Sequence, residues 1–179
     1  VGDEKSSAGS NLIVSALKKD DARPIWLIVW GGNNTMAQAL YDLSKQVNGS
    51  EFDGILDKMR VYEIAGQDNA SAWIARNFPG IKFIRAQKSW RGMSVLESGP
   101  EQFPESHGGN NEVVSPEWVN THIQKNHGST GANYPDTKHF YETDSPSFLY
   151  LLSATKGLND PDKQWHGSWG GTFGKAKTK

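Results

Sequence analysis

Three polar stretches of this chain carry residue types that could do chemistry. Gly31-Gly32-Asn33-Asn34-Thr35 joins two glycines to a run of amide and hydroxyl oxygens. Glycine lets a backbone approach a ligand or ion closely, and neutral oxygens suit a hard cation. The stretch lacks the Gly-Lys-Ser/Thr of a phosphate-cradling loop. Gly66-Gln67-Asp68-Asn69 repeats the type of turn. Glu142-Thr143-Asp144-Ser145-Pro146 sets two carboxylates just ahead of a predicted helix, an arrangement suited to a cation such as Ca²⁺ or to acid–base work. Each stretch also has a purely local reading, as a turn with a helix cap: Asp68 or Asn69 in the second, Asp144 or Ser145 in the third.

Aromatic rings form a second set of candidates. Trp90-Arg91-Gly92 and the segment from Trp165 through Trp169 to Gly171 place flat rings beside glycine and polar groups, as in surfaces that stack on sugars or bases. The alternative is that these rings anchor irregular loops to the core. The five histidines show no metal-ligand spacing, and His122, four residues after Trp118, reads as packing on a helix face. Cysteine is absent, which excludes disulfides, thiolate metal sites and a Cys nucleophile. No Gly-x-Ser-x-Gly elbow occurs.

The elements that must position these residues follow from periodicity. Within 179 residues, 36% are apolar and 11% aromatic, including seven Trp. Nineteen basic and twenty acidic residues give a net charge of −1, which argues against bulk electrostatic binding of nucleic acid. No apolar run approaches the ~20 residues of a membrane helix. Ser10 or Asn11 is expected to cap a first helix. Residues 24–30 form an unbroken apolar run, the pattern of a strand covered on both faces. Helices are expected over 36–47, around Phe52–Met59 and through Trp73–Phe78, with further strands over 60–65 and 81–84. Strands thus alternate with helices across 25–85, which predicts an α/β fold with a parallel sheet flanked by helices. Residues 86–179 are richer in loops: a Ser115-Pro116 helix start, a polar loop over 127–144, and a short helix over 148–152 opened by Ser145-Pro146. The chain reads as a single partial domain over 1–179.

Taken together, several blocks resemble a known family: the run from Trp26 to Leu40, Gly66-Gln67-Asp68-Asn69, Arg91-Gly92-Met93, Ser115-Pro116-Glu117-Trp118-Val119, Asp144-Ser145-Pro146-Ser147-Phe148-Leu149, Gly157-Leu158-Asn159-Asp160-Pro161 and Gly167-Ser168-Trp169-Gly170-Gly171. The chain resembles the nucleoside hydrolase-like domain of cellulose-binding Sde182-type proteins. That resemblance implies a nucleoside hydrolase-like sheet and, in the wider superfamily, one Ca²⁺ that orients ribose hydroxyls and activates a water. It maps the backbone carbonyl of Asn34 and the carboxylate of Asp144 onto ligands of that ion, while Thr143 stands where the superfamily has a His. The Asp-rich first strand that completes the site in the superfamily has no counterpart here, so the sheet is expected to lack its first strand and the missing N-terminal part to lie elsewhere in the same protein.

Two functions are therefore expected. One is a Ca²⁺-dependent glycoside or N-riboside hydrolase-like domain, acting only in a longer parent, with Asp144 on the metal and Gln67, Asp68, Asn69 and Glu142 on substrate hydroxyls. Hydrolysis is not expected of this chain alone. The other is a carbohydrate-binding module without turnover, using Trp90, Trp165 and Trp169 as platforms. The partner is a carbohydrate or nucleoside-like small molecule rather than nucleic acid or membrane, and the resemblance implies an extracellular or periplasmic location.

Overall fold

The computed structural model describes residues 1–87, 115–135 and 144–175. A three-stranded sheet lies at its centre: β1 (Ile25–Val29), β2 (Met59–Ile64) and β3 (Lys82–Ala86), in the order β1-β2-β3. Both pairs are parallel, with Leu27 opposite Val61 and Val61 opposite Phe83. Parallel neighbours need a crossover, and helices supply both. α2 (Asn34–Gln46) and α3 (Gly49–Lys58) join β1 to β2, and α4 (Ala70–Asn77) joins β2 to β3. α1 (Ala8–Leu17) precedes β1 and packs on α2. The later elements are α5 (Pro116–Val119), a π-helical turn (Asn120–Gln124), α6 (Gly128–Ala132) and α7 (Ser145–Thr155).

The α/β reading of residues 25–85 matches this order, and three details differ from expectation. The cap of α1 is Ser7: its Oγ accepts from the Ser10 N–H at 3.1 Å, and the Ser10 hydroxyl accepts from the Ser7 N–H at 2.8 Å. Ser10 thus closes the capping box from inside the helix, in the place usually held by Glu or Gln. The expected loop over 127–144 contains α6, whose Gly131 has no room for a Cβ: one would lie 2.6 Å from the Ile123 carbonyl and 2.8 Å from that of Gln124. α7 also runs longer at both ends than residues 148–152. The ring of His122 lies 4.8 Å from that of Trp118, but His122 itself is exposed, so its contact is on the surface rather than in the core.

Alternation along the strands divides the core in two. On one face Leu27, Val61 and Ile81 pack with Leu17, Leu40, Leu43 and Ile74 from the helices. On the other, Tyr62, Ile64 and Ile84 pack with Tyr150 of α7, and Trp26 and Phe173 close around them. A parallel sheet requires cover on both faces, and α7 with the 160–173 segment supplies the second.

That segment is fastened by polar contacts as well as rings. The Tyr62 hydroxyl donates to the Gly170 carbonyl at 2.8 Å, and the Tyr150 hydroxyl donates to the Pro161 carbonyl at 2.9 Å. Burial pushes the Tyr150 phenol up to about 12. At the amino end of the sheet, Arg60 Nε donates to Asp162 Oδ1 at 2.5 Å and Lys82 Nζ donates to the same oxygen at 3.2 Å. The hydrogen bond from Arg60 holds the Asp162 carboxyl below its ordinary value. Gly170 is the tightest of these joints, since a Cβ there would lie 2.1 Å from the Pro146 carbonyl and 2.6 Å from the Tyr150 nitrogen. Backbone cannot give way as a flexible side chain does. Gly170→Ala is expected to lower unfolding stability by about 2–3 kcal/mol, read from the midpoint of urea denaturation.

Candidate functional site

The polar loops collect at the carboxyl ends of the strands, and a buried carboxylate joins the first two. Glu63, near the end of β2, is fully buried. Its Oε2 accepts from Arg85 Nε at 2.7 Å, and its Oε1 accepts from Asn33 Nδ2 at 2.7 Å and from the Ser71 hydroxyl. Asn33 Nδ2 also donates to Ser71 Oγ at 2.8 Å. The carboxylate fixes which way the Asn33 amide points, because only its nitrogen can face an acceptor. Asn33 Oδ1 is buried without a hydrogen-bond partner. One anion thus ties the start of α2, the start of α4 and β3 to the end of β2. A buried charge is tolerated only when paired and hydrogen-bonded in this way.

A second bridge joins the turns directly. The Asn34 N–H donates to Asp68 Oδ2 at 3.0 Å, and the Ala70 N–H donates to Asp68 Oδ1 at 2.9 Å. Asp68 therefore caps α4 and also holds the neighbouring turn. Gly32 makes this possible, since a Cβ at that position would lie 2.2 Å from Asp68 Oδ2. Gln67 adds a third link, donating from Nε2 to the Trp30 carbonyl at 2.9 Å. Ala65, between β2 and this turn, has φ of 70°, a left-handed conformation that a non-glycine residue rarely adopts.

The third loop reaches the same strand end through Trp30. The indole Nε1 donates to the Ser147 hydroxyl at 2.8 Å, and that hydroxyl donates to the Asp144 carbonyl at 2.7 Å. The first turn of α7 is thereby pinned to the end of β1, so the 31–35 and 144–147 segments both flank Trp30. Trp30 is nevertheless 54% exposed. Phe148, next to Ser147, and Trp169, next to the Gly170 packed on Pro146, are likewise more than half exposed. Trp165 is exposed further along the same segment, its ring edge-on to His166.

Of the residues singled out in the sequence, Asn34, Gln67, Asp68 and Asn69 lie together on the adjacent turns. Gln67 and Asn69 are exposed, and Asn69 makes no side-chain cap. Asp144 stands at the start of α7, where its side chain forms no cap bond either. Trp90 and Glu142 lie outside the described residues, as do Arg91 and Thr143. Sequence reasoning missed Trp30, taken only as part of an apolar strand. The signal was its position, the last residue of that run and directly before Gly31-Gly32. It also missed the Glu63 network, for which no local signal exists.

The implied Ca²⁺ can be tested against the donors present. Among the described residues no three His, Cys, Asp or Glu side chains gather into a metal-binding group. Both oxygens of Asp68 are engaged by backbone N–H groups. Ca²⁺ takes six to eight oxygens. The donor set of the described residues does not fit that ion, and no chemical step is assigned to it.

Polar loops gathered at the carboxyl edge of a parallel sheet are where α/β proteins in general build their sites. The chain belongs to the family whose model is described as cellulose-binding Sde182, nucleoside hydrolase-like domain, which matches residues 1–173. A solved structure described as a nucleoside hydrolase-related hypothetical protein from Saccharophagus degradans, associated with carbohydrate metabolism, is 40% identical, with a TM-score of 0.76. The match covers 97% of this chain and 36% of that one, so this chain spans little more than a third of its relative's length. A search of curated proteins finds no match.

Two outcomes follow from this geometry. Glu63→Ala is expected to cost about 3 kcal/mol in urea unfolding, because it leaves the Ser71 hydroxyl and one Asn33 N–H buried without their acceptor and Arg85 without its ion-pair partner. Calorimetric titration of the 179-residue chain with CaCl₂ is expected to show no site tighter than roughly millimolar, the weak end for built Ca²⁺ sites.

Proposed function

We propose that this domain binds carbohydrate at the carboxyl edge of its sheet, with the indoles of Trp30 and Trp169 as stacking surfaces and the amide-rich turns as hydrogen-bonding partners for hydroxyls. The observation that carries the reading is that both rings are more than half exposed while the Trp30 indole nitrogen is bonded to Ser147 of α7 and Gly170, next to Trp169, packs on the Pro146 carbonyl of the same turn. An exposed ring normally swings among rotamers; one held in place loses little entropy on binding. Sugar rings present apolar C–H faces that pack on such surfaces, with hydroxyls at the rim. Gln67 and Asn69, exposed on the adjacent turn, supply amide donors and acceptors. Trp165 would extend the surface along the same segment. The family's description as cellulose-binding supports a polysaccharide as the ligand and a location outside the cytoplasm, where insoluble polysaccharide occurs.

A second reading is favoured by the nucleoside hydrolase-related description of the solved relative: within a longer protein, the same edge takes part in cleaving a glycosidic or N-ribosidic bond. That reading needs a water-activating group at this edge.

Retention on insoluble cellulose tests the first reading. The unmodified chain is expected to be retained, and Trp169→Ala and Trp30→Ala to weaken retention about tenfold each, near 1.4 kcal/mol. Leu12→Ala, at an exposed apolar residue of α1, is expected to leave it unchanged. No retention, or equal retention by all four proteins, overturns the reading.

A further inference from the structure

Among the described residues three helices begin after an asparagine, and the three asparagines are held differently. Asn33, before α2, is buried, and its amide nitrogen donates to Glu63 and Ser71. The N–H that follows it, that of Asn34, donates to Asp68. Asn69, before α4, is exposed and makes no side-chain cap, but the next N–H, that of Ala70, also donates to Asp68. Asn48, before α3, has neither restraint. It is exposed in the link between α2 and α3, and its side chain caps nothing. Among the described residues neither its side-chain amide nor the Gly49 N–H makes a hydrogen bond. A helix start leaves such an N–H without a partner inside the helix.

The residue after Asn48 completes the contrast. Asn48-Gly49 is the one Asn-Gly pair in the sequence. Glycine has no Cβ to screen its nitrogen, and Gly49 has φ of 57°, in the left-handed region that glycine adopts without strain. Attack of that nitrogen on the Asn48 Cγ closes a five-membered ring. Closure asks only for a turn of the Asn48 side chain and of its ψ, now extended at 172°. Asp53-Gly54, a similar pair inside α3, lacks both conditions: a carboxylate has no ammonia to release, and the Gly54 N–H lies in the hydrogen-bonded interior of the helix.

We propose that Asn48 is a site of spontaneous deamidation, with water as the co-reactant. The Gly49 nitrogen gives its proton to solvent and bonds to Asn48 Cγ. The bond from Cγ to the side-chain nitrogen breaks, and ammonia leaves. Water then opens the cyclic imide at either carbonyl. Opening at Cγ gives aspartate, and opening at the backbone carbonyl gives isoaspartate, with the chain rerouted through the side chain. One water is consumed and one ammonia released, and nothing is oxidised or reduced. Either product adds a negative charge to a formal net charge of −1. Aspartate places that charge at the start of α3, where the helix dipole favours it. Isoaspartate inserts a methylene into the backbone between two helices that bury Leu43 and Ile55. The inference does not rest on carbohydrate binding.

Ageing the full-length protein at mildly alkaline pH in water enriched in oxygen-18, then digesting it with trypsin in ordinary water, tests it. The heavy oxygen marks reaction in the folded protein and leaves reaction during digestion unmarked. Tandem mass spectrometry is expected to find the labelled acid at Asn48, in both aspartate and isoaspartate forms, accumulating at least tenfold faster than at Asn69. Gly49→Ala is expected to slow it at least tenfold. Asn48→Asp is expected to co-elute with one of the aged species in anion exchange. Equal rates at Asn48 and Asn69, an unchanged rate in Gly49→Ala, or co-elution of Asn48→Asp with neither aged species overturns the proposal.

Discussion

The geometry of the candidate site depends on one buried anion. Glu63 sits where a parallel sheet ends and helices begin, in a position that water does not reach. Its charge is balanced by Arg85 of the next strand and its remaining lone pairs by Asn33 at the start of α2 and Ser71 of α4. Removing it would unfasten Arg85 of β3 from both turns, which would then be joined through Asp68 and Gln67. A fully satisfied polar cluster of this kind defines one arrangement of its loops more sharply than aliphatic packing does. The Asp68 bridge between the same two turns then needs only a glycine at position 32 to close.

Around this hub the sheet has a polar end and a fastened end. At the carboxyl edge the side chains and N–H groups of three loops converge on Trp30. At the amino edge Asp162 draws together Arg60 and Lys82 and holds the 160–173 segment down. The aromatic pair Tyr62 and Tyr150, rings 5.5 Å apart, lies between the two ends and connects them through Pro161 and Gly170. Trp169 is thus carried next to a backbone position, Gly170, that the Tyr62 hydroxyl holds from beneath.

Much of the frame was legible in the sequence because it is local. An apolar run of strand length ending in glycines, followed by a helical stripe, describes β1 and α2 with no other information, and the same holds for β2 and α4. The site was legible in part. The turns at 31–35 and 66–69 announced themselves by composition, and their adjacency followed from the parallel order. Glu63 did not, because a glutamate in Arg60-Val61-Tyr62-Glu63-Ile64 has the look of a solvent-facing residue, and its burial depends on partners up to 30 residues away. Trp30 was hidden for the opposite reason: an apolar residue closing an apolar strand gives no hint that its nitrogen finds a serine 117 residues later. The cap of α1 lies three or four residues before the expected Ser10 or Asn11, because Ser7 offers the same hydroxyl as Ser10 and only the backbone decides between them.

The long reach of the Tyr62–Gly170 and Arg60–Asp162 contacts, 108 and 102 residues apart in sequence, has a consequence for how the molecule assembles. During synthesis the helices over one side of the sheet emerge next to the strands they cover, so that layer is able to condense early. The opposite side waits, its tyrosine bare, until the ribosome has released the polypeptide beyond Phe173. The aromatic side of the sheet is therefore the last to be covered as the chain emerges.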